Sequence, residues 1–302
     1  YRSAGYGGDW APDPGGLEIR TDLCLGPLED GEAEFRSLSD DQSISIGYAT
    51  ATAENNHLPV EHWLANRPGR RLAILRAEAP ELNLGPDGKV IVIVGQEDDG
   101  YHLEEFSCSL QQKSASDDIS LHRAVRVALE NEMKELSEVY AGLAPGVPRE
   151  LTVNGAGTFE VGGPEGDNGL SGKKLVVDAY GPRIPIGGGA LSGKDFFKVD
   201  RAGALHARRI AKAIVVTGAA REAIVRLAWF PGDRDGRLLS IENEDRQLLD
   251  PKPWQRLFNL SLEASGENWA HTADLVEIAR YGHFTDDDLE WENLCFTSAK
   301  TA

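Results

Sequence analysis

The sequence predicts an α+β fold with sheets covered on one face by helices, and three observations predict it. Two apolar runs, residues 89–95 and 223–229, are rich in β-branched or bulky side chains and read as strands. Two longer stretches, ending near Tyr140 and Gly218, carry apolar residues at helical spacing. These elements alternate without the regular strand-helix-strand rhythm of a doubly wound sheet.

Taken in order, residues 1–40 are rich in Gly, Pro and acids, with only short apolar runs such as Leu23-Cys24-Leu25, and read as the tail of a larger domain. Residues 61–76 have helical composition, with Trp63, Leu64, Leu72 and Leu75 as buried candidates. Pro68-Gly69 interrupts them at a cost of about 3 and 1 kcal/mol in an unbroken helix, which predicts a kink or two short helices. The run from Lys89 to Gly95 predicts a strand packed on both faces or at a sheet centre. Ser116-Asp117-Asp118 offers capping side chains for a helix that buries Leu121, Val125, Ala128, Met133 and Leu136, before Pro145 and Pro148 break the chain. Residues 174–180 read as a strand. The next helix is expected to start at Asp200, capped by that carboxylate, with Ala207, Ile210, Ala211 and Ile214 on one face and Gly218 as its stop. A strand at 223–229, a turn at 231–236 and another strand at 257–262 follow.

The chain has 302 residues, 41% of them hydrophobic, enough for a substantial core in two or three units. Cys24, Cys108 and Cys295 are far apart and form no CxxC pair, so neither a disulfide framework nor a zinc site is indicated. There is no apolar run of membrane-spanning length and no secretory leader pattern, which makes the cytoplasm the expected compartment and a membrane partner unexpected. Basic patches interleaved with aromatics are lacking, which argues against nucleic acid.

The strongest chemical signal is glycine-rich and basic. Gly162-Gly163-Pro164-Glu165-Gly166-Asp167 leads to Gly172-Lys173-Lys174, and Gly187-Gly188-Gly189 leads to Gly193-Lys194-Asp195, Lys198, Asp200 and Arg201. Glycines let backbone N–H groups crowd an anion, lysines supply charge, and interleaved aspartates can hold a divalent cation or ribose hydroxyls. The formal charge is -18, yet residues 171–212 hold nine Lys/Arg against three acids, a local excess of +6 in a chain that would otherwise repel a polyanion. Lys194 and Lys198 fall just before the predicted helix start, where unpaired N–H groups favour anions. Arg208, Arg209 and Lys212 fit a solvated helix face equally well. Residues 188–194 match GxxxxGK, but Asp195 stands where a P-loop needs Ser or Thr, and Ile184-Pro185-Ile186 separates the loop from the preceding segment.

The residues match a family at several points in order. These are Asp41-Gln42 with Gly47-Tyr48-Ala49-Thr50, Pro86-Asp87-Gly88-Lys89, Gly157-Thr158-Phe159 before Gly162-Gly163-Pro164, and Gly166-Asp167 with Gly172-Lys173-Lys174. Val177-Asp178-Ala179-Tyr180-Gly181, the run from Gly187 to Arg201, and Tyr281-Gly282-His283-Phe284 with Trp291-Glu292 complete the series. Over about four fifths of its length the chain resembles the S-adenosylmethionine synthetases (methionine adenosyltransferases).

That resemblance implies βαβ-containing subdomains around a pseudo-threefold axis, dimerising through flat sheet faces. Residues 1–36 would be a remnant of the N-terminal subdomain, 37–160 the central one, 161–292 the C-terminal one and 293–302 a tail. The reaction implied is attack of methionine sulfur on C5′ of ATP, with loss and cleavage of triphosphate, using Mg2+ and K+. Lys89, Lys174, Lys194 and Lys198 match family lysines that stabilise the leaving triphosphate. Lys173 stands where the family usually has Arg, keeping charge but losing the planar fork. Asp200 matches a magnesium ligand, Asp41 and Asp167 match aspartates near the ribose and the methionine amino group, Phe159 matches an aromatic on adenine, and Trp229 falls near the residue on the opposite adenine face. His283 lies in a matched segment but nothing pairs it with a nucleophile, so its expected role is structural.

The family's His-Pro-Asp-Lys motif is not found in the sequence, and residues 26–39 are shorter than the family's gating loop. The expected function, given an N-terminal portion that carries this motif, is methionine adenosyltransfer by a homo-oligomer with its active site at a subunit interface. The alternative is a non-catalytic or complementary subunit that retains the nucleotide site, and a triphosphate-hydrolysing relative is a third reading.

Overall fold

The computed structural model describes residues 1–22, 26–97, 100–113, 118–167, 174–271 and 274–294. In chain order the elements are α1 (Glu32–Arg36), β1 (Ser43–Thr50), α2 (Val60–Glu78), β2 (Leu84–Glu97), β3 (Gly100–Gln112), α3 (Asp118–Val139), β4 (Thr152–Val153), α4 (Gly163–Gly166), α5 (Leu175–Asp178), α6 (Val199–Val216), β5 (Glu222–Trp229), β6 (Arg237–Glu242), α7 (Leu262–Trp269) and α8 (Leu275–Tyr281). They divide into two compact units, residues 1–24 with 60–169 and residues 25–59 with 170–302.

In the first unit β2 and β3 pair antiparallel, and the short β4 adds to β3 in parallel. α2 and α3 cover one face, burying Leu64, Leu72, Leu121, Val125, Leu129 and Met133 with Phe106 and Cys108. Burial pushes the Cys108 thiol up to about 12, which keeps it protonated and inert. β2 is not packed on both faces as expected. Val90, Val92 and Val94 touch the core, while Ile91 and Ile93 are 68% and 46% exposed. An apolar run cannot distinguish a two-faced strand from one whose outer face also carries isoleucine.

α2 runs from Val60 to Glu78 without dividing, and Pro68 lies inside it. The proline is buried, one turn from Leu64 and one from Leu72, so its ring takes a place in the apolar stripe facing the core. Tertiary packing overrides the local penalty at this position. α3 carries the buried face read from the sequence, whereas the capping residues Ser116 and Asp117 lie outside the described residues.

In the second unit β5 is central, antiparallel to β1 on one side and to β6 on the other. β1 therefore pairs with a strand about 180 residues away, Ser43 opposite Trp229 and Thr50 opposite Glu222. α6 lies on this sheet through small residues. A Cβ placed on Gly47 would stand 2.0 Å from the Ala207 carbonyl carbon, and one on Gly203 would stand 2.4 Å from Ser45 Oγ, so only glycine permits this approach. α6 ends as expected, with Gly218 at φ 76° and its N–H donated to the Val215 carbonyl.

Two strands expected here do not form. Residues 174–180 contain α5, and the segment 257–262 holds only an isolated bridge at Ser261, whose hydroxyl caps α7 by accepting from the Ala264 N–H at 3.2 Å. Ser261 is a good capping residue followed by Glu263, and that local signal prevails over the apolar pattern before it. No helix among the described residues is long and apolar enough to cross a membrane.

Candidate functional site

The seating of α6 on β1 decides where its first turn lies. Lys198 is the residue before α6, and Asp200 is its second residue rather than its cap. The Asp200 carboxylate turns away from the helix N–H groups. Its Oδ1 accepts from Ser43 Oγ at 2.8 Å, and its Oδ2 pairs with Lys194 Nζ. Ser43 opens β1, so the strand–helix packing brings this hydroxyl to the carboxylate.

The triple glycine packs against the same group. A Cβ on Gly189 would fall 2.0 Å from Asp200 Oδ2, and one on Gly187 would fall 2.6 Å from the Ile44 carbonyl oxygen, while the Gly188 N–H donates to that carbonyl at 3.1 Å. The glycines are thus needed for close approach to β1 and to Asp200. Arg201 braces the loop from behind, donating from Nη1 to the Lys194 carbonyl at 2.6 Å with its guanidinium 4.4 Å from the Phe196 ring centre. Burial lowers the Arg201 pKa to about 10, and it stays a cation at neutral pH.

Lys198 pairs with Asp40, whose carboxyl is held below its ordinary range chiefly by that hydrogen bond. Lys194 and Lys198, with Asp200, Ser43 and residues 187–189, therefore form one polar cluster at the start of α6. Ser43 and Asp40 were not singled out by sequence reasoning. Ser43 is one residue past the matched Asp41-Gln42 pair, and its alternation with Ser45 on β1 was the available signal.

Lys174 is exposed immediately before α5, and Asp41 is exposed with its Oδ1 accepting the Gln42 N–H at 2.8 Å. Lys173 lies outside the described residues. In the first unit, Lys89 is exposed on β2 opposite Ser109, and Asp167 is exposed at the end of α4. Phe159 is half-buried, forms a bridge with Gln111 and accepts the Gln112 N–H at 2.9 Å. The nearby Gly163 N–H donates to Asp87 at 2.8 Å.

Trp229 cannot face a ligand in this structure. It is 0% exposed, packed where Gly203 and Gly236 leave room for its ring. Strand alternation sends residue 229 inward, and the next residue, Phe230, is 53% exposed beyond the end of β5 with the Arg237 guanidinium 4.4 Å from its ring centre.

Arg208 and Lys212 are not surface cations. Both are buried and hydrogen-bond Glu292, and Asn56 and the Tyr48 carbonyl complete the network. His283 is 0% exposed and its carbonyl accepts from the Trp291 indole at 2.7 Å, a structural position as expected.

A model of the S-adenosylmethionine synthetase C-terminal domain matches residues 161–293. The S-adenosylmethionine synthase of Thermosynechococcus vestitus is 36% identical over 287 residues, covering 88% of this chain and 68% of that protein. The chain belongs to the S-adenosylmethionine synthetase family. The S-adenosylmethionine synthase of Corynebacterium jeikeium is 35% identical over 294 residues, covering 91% of this chain and 69% of that protein. The chain thus spans about two thirds of the length of such relatives. A solved structure described as an unusual S-adenosylmethionine synthetase from Campylobacter jejuni superposes with a TM-score of 0.80 at 22% identity, over 97% of this chain and 78% of that one, and shows the same fold. The synthetase-family match takes in every residue of the cluster from Gly187 to Asp200.

Proposed function

We propose that this chain is a methionine adenosyltransferase that binds the triphosphate of ATP at the start of α6 and joins methionine sulfur to C5′. The observation that carries the reading is the convergence of Lys194 and Lys198 on one turn with Asp200, against glycines whose packing leaves the loop close to β1. A departing triphosphate gathers negative charge, and preorganised cations lower that barrier, each donor being worth about 2.7–4 kcal/mol at comparable anion sites. Lys89 and Lys174 are assigned the same role from their motif positions, with Lys173 beside Lys174.

The acids fit a hard cation. Asp200 offers a carboxylate next to the lysines, and Mg2+ commonly takes one or two carboxylates together with substrate phosphates. Bound there, Mg2+ would supply further charge stabilisation to the leaving group. Asp41 and Asp167 are assigned to the ribose and the methionine amino group, and K+ is carried over from the family. Phe159 is assigned to adenine from its motif position, and within the second unit the exposed Phe230 takes the assignment that the buried Trp229 cannot hold. A second copy of the chain would pair through the exposed Ile91 and Ile93 face of β2, a cytoplasmic homo-oligomer being the assembly proposed.

The test is formation of S-adenosylmethionine from ATP, methionine, Mg2+ and K+ by the full-length protein. Product formed by the protein alone supports the adenosyltransferase reading. Product only after a second chain is added would replace it with the complementary-subunit reading, and phosphate release without methionine with the hydrolase reading.

A further inference from the structure

Lys194 and Lys198, two of the lysines assigned to the phosphates, are already paired with carboxylates of the chain, and the two acids differ in kind. Asp200 belongs to α6 itself, whereas Asp40 reaches Lys198 from a separate strap, residues 36–41. That strap is fastened along its length. The Arg36 guanidinium pairs with Asp195 at 3.3 Å and lies 4.2 Å from the Phe197 ring centre, Ser37 Oγ accepts from Arg234 at 3.1 Å, and Ser39 exchanges two backbone hydrogen bonds of 2.8 Å with residues 232 and 233 after β5. The anchors hold Asp40 opposite Lys198 without contributing to the pair itself.

Resting on the phosphate-site reading above, we propose that Asp40 is an internal counter-anion that holds Lys198 in the empty site and is displaced by the incoming polyphosphate, setting the affinity of the site and its preference for multiply charged anions. The pair suits displacement. Its side chains are 47% and 59% exposed, and exposed ion pairs are weak, so a ligand bearing several charges outcompetes one carboxylate. A singly or doubly charged anion gains less from Lys198 and meets the same competitor, and it also meets the repulsion of the Asp40 charge. The strap keeps its other anchors when the pair opens, so Asp40 returns to Lys198 after product leaves.

Titration calorimetry of the full-length protein with tripolyphosphate and with orthophosphate tests this. Asp40→Asn is expected to bind tripolyphosphate roughly three- to tenfold more tightly than the parent and to narrow the preference over orthophosphate. Glu34→Gln, which removes an equal charge from an exposed side chain of α1, the helix that leads into the strap, is expected to stay within about twofold. Unchanged or weaker tripolyphosphate binding by Asp40→Asn, or an equal gain from Glu34→Gln, overturns the proposal. Lys198→Ala separates the two levels of inference. If it abolishes binding while Asp40→Asn has no effect, the phosphate site stands and the counter-anion falls; if it changes nothing, both fall.

Discussion

Arg208 and Glu292 form a two-point ion pair with no solvent exposure on either side chain, Nε to Oε1 at 2.9 Å and Nη2 to Oε2 at 3.1 Å. Lys212 adds a second cation to the same carboxylate at 3.0 Å, and its pKa is lowered first by burial and then raised in part by Glu292. Desolvation on this scale is tolerated only because the carboxylate and both cations have further hydrogen-bond partners. Glu292→Ala would leave two buried cations without their common anion. It is expected to cost about 3–5 kcal/mol in denaturant unfolding; a loss below about 1 kcal/mol would show that the network is not formed.

Trp229 and Phe230 are adjacent and are expected to separate stability from binding. Trp229→Ala should lower unfolding free energy by about 3–5 kcal/mol through cavity formation. Phe230→Ala should leave stability within about 0.5 kcal/mol and weaken ATP binding several-fold. Equal ATP affinity in Phe230→Ala and the parent would remove Phe230 from the nucleotide site.

Gly189 tests the contact between the glycine loop and the start of α6. Gly189→Ala puts a methyl group where the Asp200 carboxylate stands, so Asp200 must turn away from Ser43 and Lys194. Magnesium-dependent tripolyphosphate binding is expected to fall at least about tenfold, equivalent to about 1.4 kcal/mol, with the fold retained by circular dichroism. Binding equal to the parent would show that Asp200 does not act there.

His206 and His283 make stability depend on pH. Burial, helped by Arg209 beside His206 and Arg201 beside His283, pushes each pKa down from 6.5 to about 3. The unfolded chain takes up these protons near pH 6.5 and the folded chain does not, so the stability contributed by the neutral rings is complete above pH 6.5 and is lost as pH falls toward 3. The slope is about 1.4 kcal/mol per pH unit for each ring. Denaturant unfolding of His206→Asn between pH 6.5 and 4 should show a slope shallower by about that amount; identical slopes would contradict a neutral buried His206.

The face of β2 is tested by charge. Ile91→Glu with Ile93→Glu should shift the chain to a smaller species in light scattering with little change in unfolding, because both side chains are exposed in the single chain. An unchanged mass would move the proposed interface elsewhere.

Much of the fold was legible where a pattern is local. α3, α6 and β5 each carry a periodicity long enough to declare type and buried face, and Gly218 marks its helix end by composition alone. The errors came where distant chain decides. Pro68 is tolerated because other residues pack on it, and Ile91 looks like core because its sequence neighbours are. The site was legible as residue types at the start of α6, through motifs that keep their order in the family. Its partners were not, since Asp40 and Ser43 reach Lys198 and Asp200 across more than 150 residues of sequence. Nor could charge counting separate Lys194 from Lys212, because burial against Glu292 is a property of packing.

The most direct test is a crystal structure of the full-length protein with tripolyphosphate and Mg2+. Phosphate oxygens are expected within hydrogen-bonding distance of Lys194 and Lys198 Nζ, with a metal ion on Asp200 and Asp40 released from Lys198. Tripolyphosphate bound elsewhere, with both lysines still paired to Asp200 and Asp40, would contradict it.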